Sequence, residues 1–276
     1  MEPSGFCEIL GNCIAEYRSG RPGANVALVF VHGNSSSTRA FEHQFSAFGD
    51  LELLGFDLPG HGASHNAAGQ DSYSLKCYAE IVKHQARSVQ ARRVLLIGWS
   101  LGGHIVLEAL NESNAATAAL IVGAPPLRSM ADMADAFLRS SALELIQRGP
   151  VSEAEAKVWA QNCTCLGANY PEWLKTDFQR TDPVARIGLI TSLASGAFKD
   201  EWREVQAAKM PVALIVGGND PFINKDFLRD ASLLTNVRDS RVEIISSAGH
   251  MAQWDAPVEF NEILADCVHE LRQSSG

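Results

Sequence analysis

The apolar run Val94-Leu-Leu-Ile97 leads into Gly98-Trp-Ser-Leu-Gly-Gly103, and a helical pattern, His104-Ile-Val-Leu-Glu-Ala-Leu110, follows at once. A strand, a glycine-bounded turn holding a serine, and a helix in direct succession leave this stretch few ways to fold. The turn forces the serine into strained backbone geometry, and close neighbours on both sides leave no room for a Cβ at the flanking positions. Its hydroxyl then stands exposed at the sheet edge, where the start of the helix favours negative charge. As a bare pattern G-x-S-x-G is common; the strand before it and the helix after it make Ser100 a candidate nucleophile.

The rest of the chain alternates in the same way. Residues 6–19 read as an edge hairpin turning at Gly11-Asn12. Val26-Ala-Leu-Val-Phe-Val31 is a continuous apolar run, expected of a buried parallel strand, and ends in His32-Gly-Asn-Ser-Ser-Ser37. A short helix over 40–48 precedes the strand 51–56 and the tightly specified loop Asp57-Leu-Pro-Gly-His-Gly-Ala-Ser64. Asp57 and His61 are close enough to tempt an acid–base reading, but a structural role suits a tight turn better. Residues 73–90 carry helical apolar spacing, with Ser72 or Ser74 as N-cap. On the helix after Ser100, His104 and Glu108 are expected to form a surface polar pair.

Ala118–Val122 is a further buried strand, after which the alternation stops. From Leu127 to Val205 only helical patterns appear, over 130–139, 142–148, 152–161, 171–179 and 183–198. A helical block inside an alternating chain predicts a cap (127–205) over the C-terminal edge of a core built from 1–126 and 206–276. Met130, Met133, Phe137, Trp159, Trp173, Phe178, Leu189 and Leu193 are its candidate pocket residues. Strands then resume at 211–216 and 241–245, with helices at 227–234 and 258–271, and Arg272–Gly276 is expected to be a frayed tail.

Composition narrows the function class. The net charge of −9 over 276 residues, with no Lys/Arg cluster, argues against a nucleic-acid surface. No apolar stretch reaches membrane-spanning length, and the N-terminus lacks the features of a signal peptide. The six scattered cysteines are expected to be reduced thiols of a cytoplasmic protein. Cys163-Thr-Cys165 has no second pair at ligand spacing, and His61 with His65 is too sparse for a dinuclear centre, so neither a metal nor a cofactor is expected.

Ser100, Asp220 and His250 each end a buried strand, the last two in Gly217-Gly-Asn-Asp220 and Ser246-Ser-Ala-Gly-His250. A serine hydroxyl needs an imidazole to take its proton, and the imidazole needs a carboxylate to hold its tautomer. Asp226 falls further along, in a helix, and Asp255 lies too close behind His250 to reach back. The oxyanion donors would be the N–H of Leu101 and one from Gly33-Asn34-Ser35, with either Asn34 or Ser35 supplying it.

With these residues placed, the chain resembles the α/β-hydrolase superfamily over nearly its whole length. It resembles more narrowly the α/β-hydrolase type of N-acyl-homoserine-lactone lactonase, the quorum-quenching enzymes. The matching pieces are His32–Ser37, Asp57–Ser64, Gly98–Ile105, Gly123–Pro126, Asp220–Phe222 with Asp226-Phe227, and Ala248–His250. The resemblance implies an α/β fold, a mostly parallel central sheet with helices on both faces and an inserted helical cap. It also implies Ser100 as nucleophile, His250 as base, Asp220 as acid and Asn34 beside the oxyanion. Two departures stand out. The lactonases use glutamate where this chain has Asp220, and Trp159 stands where they place a substrate-facing cap tyrosine. Trp99, beside the serine, is a further candidate contact. The expected partner is a small ester or lactone with an apolar acyl chain; another carboxylesterase, an amidase or C–C hydrolase, or a ligand receptor on the same fold are the alternatives.

Overall fold

The computed structural model describes residues 1–234 and 236–273. Within them eight strands form one sheet: β1 (Gly5–Ile9), β2 (Asn12–Gly20), β3 (Val26–Val31), β4 (Glu52–Phe56), β5 (Arg93–Trp99), β6 (Ala116–Val122), β7 (Val212–Gly217) and β8 (Val237–Ile245). Their order across the sheet is β1-β2-β4-β3-β5-β6-β7-β8. Every pairing is parallel except β1 with β2 and β2 with β4. The continuous apolar runs lie in the middle: every residue of β3 and β7 is buried, as is β5 beyond Arg93. Only a sheet covered on both faces gives strands without polar alternation.

Helices α1 (Glu42–Ala47), α2 (Leu75–Ser88) and α3 (Leu101–Ala109) belong to the first half of the chain. Ser74 caps α2, its hydroxyl accepting the Cys77 N–H at 3.2 Å. Six more lie between β6 and β7: α4 (Met133–Ala136), α5 (Ser141–Leu145), α6 (Glu153–Cys163), α7 (Glu172–Arg180), α8 (Pro183–Ala194) and α9 (Glu201–Ala207). They form the cap. After β7 come α10 (Lys225–Ser232), α11 (Ala252–Asp255) and α12 (Pro257–Gln273). Among the described residues no helix is long and apolar enough to cross a membrane, and all six cysteines are free.

Several boundaries differ from expectation for identifiable reasons. The hairpin turns at Leu10-Gly11, both at positive φ, while the Asn12 side chain donates to the Ile9 and Leu10 carbonyls and opens β2. The helix expected over 130–139 stops at Ala136, because Phe137 is extended and bridges to Ile223, and the Leu138 N–H donates to the Phe222 carbonyl. The last strand begins four residues early, through Arg238 and Asp239, whose charges resemble a loop. The helix expected over 183–198 stops at Ala194. The cap boundary expected at 205 falls inside α9, which is tied to the core where Asn111 Nδ2 donates to the Glu204 carbonyl. Of the expected tail, Arg272 and Gln273 are helical; Ser274–Gly276 lie outside the described residues.

The start of α3 is pressed onto the end of β3. A Cβ at Gly102 would land on the Val31 carbonyl oxygen and lie 2.7 Å from that of His32, so backbone meets backbone there. Neither carbonyl can readily withdraw, since Val31 ends the buried strand β3 and His32, fully buried, is pinned by its ring bonds to Leu58 and Gly33. Gly102→Ala is therefore expected to cost about 3 kcal/mol or more, measured as a fall in the urea midpoint at unchanged slope.

Candidate active site

Ser100 sits between β5 and α3 at φ 54° and ψ −122°. Positive φ is costly for a residue with a Cβ, and here it is held by Ser100 N–H donating to the Val122 carbonyl at 2.8 Å and by the Gly103 N–H returning to the Ser100 carbonyl at 2.8 Å. His250 Nε2 lies 2.9 Å from Ser100 Oγ, and His250 Nδ1 lies 2.8 Å from Asp220 Oδ2. A carboxylate can only accept, so Nδ1 carries the hydrogen and Nε2 is left to take the serine proton. The other Asp220 oxygen accepts the Phe222 N–H at 2.8 Å. Gly123, at φ +58°, follows β6 beside this pair: a Cβ there would lie 3.1 Å from the His250 ring and 3.5 Å from Asp220 Oδ2.

Backbone bonds hold the His250 loop. Asp255 Oδ2 accepts the Gly249 N–H at 2.8 Å and the Cys165 N–H at 3.0 Å, and the Met251 N–H donates to the Cys163 carbonyl. Asp255, set aside as a triad acid from its spacing, thus fastens the cap to this loop. Trp99 is not a substrate contact as expected: it is fully buried, and its Nε1–H donates to the His250 carbonyl at 2.8 Å from behind.

Across from Ser100, Gly33 has no room for a side chain, its Cβ position lying 2.9 Å from the Trp99 ring and 3.2 Å from Ser100 Cβ. His32 braces the loop. Its Nε2 accepts the Leu58 N–H at 2.9 Å, so its Nδ1–H donates to the Gly33 carbonyl at 2.8 Å. Asn34 faces the cavity, whereas Ser35 is turned away from it, buried, with its Oγ–H donating to Asn34 Oδ1 at 2.7 Å. Leu101 is the first residue of α3, so its N–H has no carbonyl one turn back to bond.

A cavity, partly open to solvent, rises from Ser100, His250 and Asn34 into the cap. Met130, Met133, Phe137, Leu189 and Leu193 line it as expected, joined by Leu143, Ile146, Ile190, Phe198 and Phe222. Trp159, Trp173 and Phe178 do not. Trp159 is 2 % exposed and stacked between Phe178 and Phe222, so it backs the wall that Phe222 presents. Trp173 packs edge-on against Trp254. The expected His104–Glu108 pair is also absent: His104 Nδ1 lies 3.0 Å from both Glu201 oxygens, and Glu108 accepts the Lys199 N–H. Glu201 is 1 % exposed, lines the cavity with His104, and accepts the Leu127 N–H. Spacing along one helix could not show a partner 97 residues away. Arg186 was missed too, although a charge inside the apolar run Val184–Ile190 is a visible signal.

Residues 28–263 match the profile of the alpha/beta hydrolase family. The chain belongs to that family. Its fold superposes on the N-acyl homoserine lactonase AidH in complex with N-butanoyl homoserine, with a TM-score of 0.90 and 28% identity, covering 98% of both chains. A 2-succinyl-6-hydroxy-2,4-cyclohexadiene-1-carboxylate synthase of Klebsiella pneumoniae is 28% identical over 242 residues, 86% of this chain and 92% of that protein. An esterase of Mycobacterium tuberculosis is 26% identical over 259 residues, 88% and 82% respectively.

This hydrolase keeps several titratable groups in the dry layer behind the site. Asp57 and His61 do not pair: Asp57 accepts from Tyr17 Oη and from the Thr38 and Ala63 N–H groups, and His61 Nδ1 lies 2.9 Å from the Pro59 carbonyl. Burial pushes His32 down to about 4. Burial, then the neighbouring His32, pushes His61 down to about 3. On α7, Asp177 bonds the Ser37 hydroxyl at 2.5 Å, and burial raises its carboxyl to about 6 from 3.8.

These groups act on stability with opposite signs. The histidines bind protons only on unfolding, so their contribution is full above pH 6.5 and is lost as pH falls through about 4 and 3. A raised carboxyl contributes below its unfolded value of 3.8, and that contribution is lost as pH rises through about 6. Asp177→Asn keeps a partner for Ser37 and removes the ionisation. Its stability relative to the parent should therefore increase between pH 4 and pH 7, by up to about 3 kcal/mol, read from urea melts at each pH.

Proposed function

We propose that this chain is a serine hydrolase that opens the lactone ring of N-acyl homoserine lactones, and that Ser100, His250 and Asp220 carry the reaction. Ser100 Oγ attacks the ring carbonyl carbon as its proton passes to His250 Nε2, and Asp220 stabilises the imidazolium through Nδ1–H. The carbonyl oxygen gathers negative charge and is held by the Leu101 N–H and by the side-chain NH₂ of Asn34, in place of the loop backbone N–H expected from the sequence. When the tetrahedral adduct collapses, the ring C–O bond breaks and the departing oxygen takes the proton from Nε2. The homoserine hydroxyl so formed remains tethered to the acyl-enzyme. A water that gives its proton to Nε2 then attacks the ester carbon, and the open N-acyl homoserine leaves as Ser100 recovers its proton. Ring opening of this kind would make the chain a quorum-quenching enzyme.

The cavity is the observation that carries this reading. A row of hydrogen-bonded Ser, His and Asp opens into a space whose cap wall is aliphatic, sulfur-containing and aromatic, which suits an acyl chain on a small polar head. The likeness to AidH over nearly the whole of both chains favours a lactone head group. Asp220, one methylene shorter than the glutamate of the lactonases, still meets Nδ1 at 2.8 Å and fits the same role. The product named for the Klebsiella relative fits less well. That product carries two carboxylates, whereas among the described residues no Lys or Arg lines this cavity and Glu201 is the acidic one. A carboxylesterase of another small ester is the nearest rival.

Incubation with acyl homoserine lactones and with aryl esters, followed by mass spectrometry, separates these readings. Ring-opened product that closes again in acid is the expected result. Free fatty acid would mean amide cleavage, and rapid aryl-ester turnover with untouched lactone would overturn the lactonase reading. Ser100→Ala should abolish turnover of every substrate without shifting the melting temperature. Asn34→Ala should lower kcat by about 10²-fold, as expected for loss of an oxyanion donor.

A further inference from the structure

Arg186, on α8, is 1 % exposed, and among the described residues no carboxylate is bonded to it, Asp182 acting only from a distance. Its donors go to neutral groups instead. Nε donates to the Arg148 carbonyl at 2.8 Å, Nη2 to that of Gly149 at 2.7 Å and Nη1 to that of Phe178 at 3.0 Å, with the guanidinium 5.2 Å over the Phe178 ring. A buried cation satisfied only by dipoles is costly. These three carbonyls all belong to the cap, but the fourth contact leaves it: Nη1 lies 3.3 Å from Ser35 Oγ, on the loop that faces Ser100.

We propose that Arg186 is a positioning residue that acts through Ser35 to set the side chain of Asn34 for oxyanion binding. The direction of the chain of bonds follows from its first member. A guanidinium has only donors, so Ser35 Oγ accepts from it and turns its own hydrogen to Asn34, at 2.7 Å. Asn34 must therefore present its oxygen to Ser35, and its NH₂ is the end left for the cavity. Without this anchor the two ends of an amide differ little in shape, and a half-turn would place an acceptor beside the developing negative charge. Ser35 is itself kept at φ +56°, a conformation unfavourable for a residue with a Cβ, with its hydroxyl inside this chain. The cap thus reaches the chemistry through one buried side chain.

The inference rests on the proposed oxyanion role of Asn34, and the test separates the two. Turnover of a short-chain aryl ester is measured for Ser35→Gly, Arg186→Met and Asn34→Ala, and for each of the first two combined with the third. Glycine suits the backbone at Ser35 and leaves Arg186 on its three carbonyls, so Ser35→Gly decides the matter even where Arg186→Met fails to fold. Both single variants should lower kcat about tenfold with KM within about twofold, the pattern of a group misplaced in the transition state. Neither should lower kcat further once Asn34 is Ala. Effects that multiply in the double variants, or a folded Ser35→Gly with unchanged kcat beside an impaired Asn34→Ala, would overturn the Arg186 proposal alone. An Asn34→Ala enzyme with unchanged kcat would overturn the oxyanion reading, and this proposal with it.

Discussion

The close approach of α3 to β3 is the contact on which the site depends. Because Gly102 lies directly against the Val31 and His32 carbonyls, the helix after the nucleophile cannot slide along the sheet or tilt from it. Ser100 is then confined to the one backbone conformation that joins β5 to that helix. The same contact sets the distance from Ser100 to the Asn34 loop, since the loop begins where β3 ends. The Ser100 hydroxyl is thus set facing the Asn34 loop by backbone packing before any side chain contributes.

The parallel sheet does the rest of the convergence. β3, β5, β6, β7 and β8 are consecutive neighbours running the same way, so the loops after them share one edge. That is why three residues 120 and 30 positions apart in the chain can meet within hydrogen-bonding distance. It also explains why this part was legible in the sequence. Ser100 and Asp220 each follow an uninterrupted apolar run, and such runs mark buried strands whose ends are fixed in space. His250 follows the partly exposed edge strand β8, where Glu243 interrupts the run, and its signal was the Gly-His loop after that strand.

The cap was legible only as a block of helices. Apolar spacing identifies a helix and its buried stripe, but it does not say whether the stripe meets another helix or a cavity. Met130 and Leu189 reach the cavity while Trp159 and Phe178 pack against each other, and nothing in the periodicity separates the two cases. Polar partners were harder still. The His104–Glu201 contact joins the first turns of α3 to the chain's return from the cap, and Arg186, visible as a charge in an apolar run, finds carbonyls rather than a carboxylate, so no charge pattern names its partners.

The bonds between cap and core fall in a particular place. Arg186 and Asp177 meet the Asn34 loop at Ser35 and Ser37, Phe137 and Leu138 meet the Asp220 loop at Ile223 and Phe222, and Cys163 and Cys165 meet the His250 loop at Met251 and Asp255. Each of these three loops therefore has one of its edges made by the cap, while the turn at Ser100 is held by the core alone. The cap is not an interchangeable cover on a finished machine. In any exchange of parts between relatives, the unit that can travel is the pair of matched surfaces, and a foreign cap set on this core would arrive with the seams of all three loops unsewn.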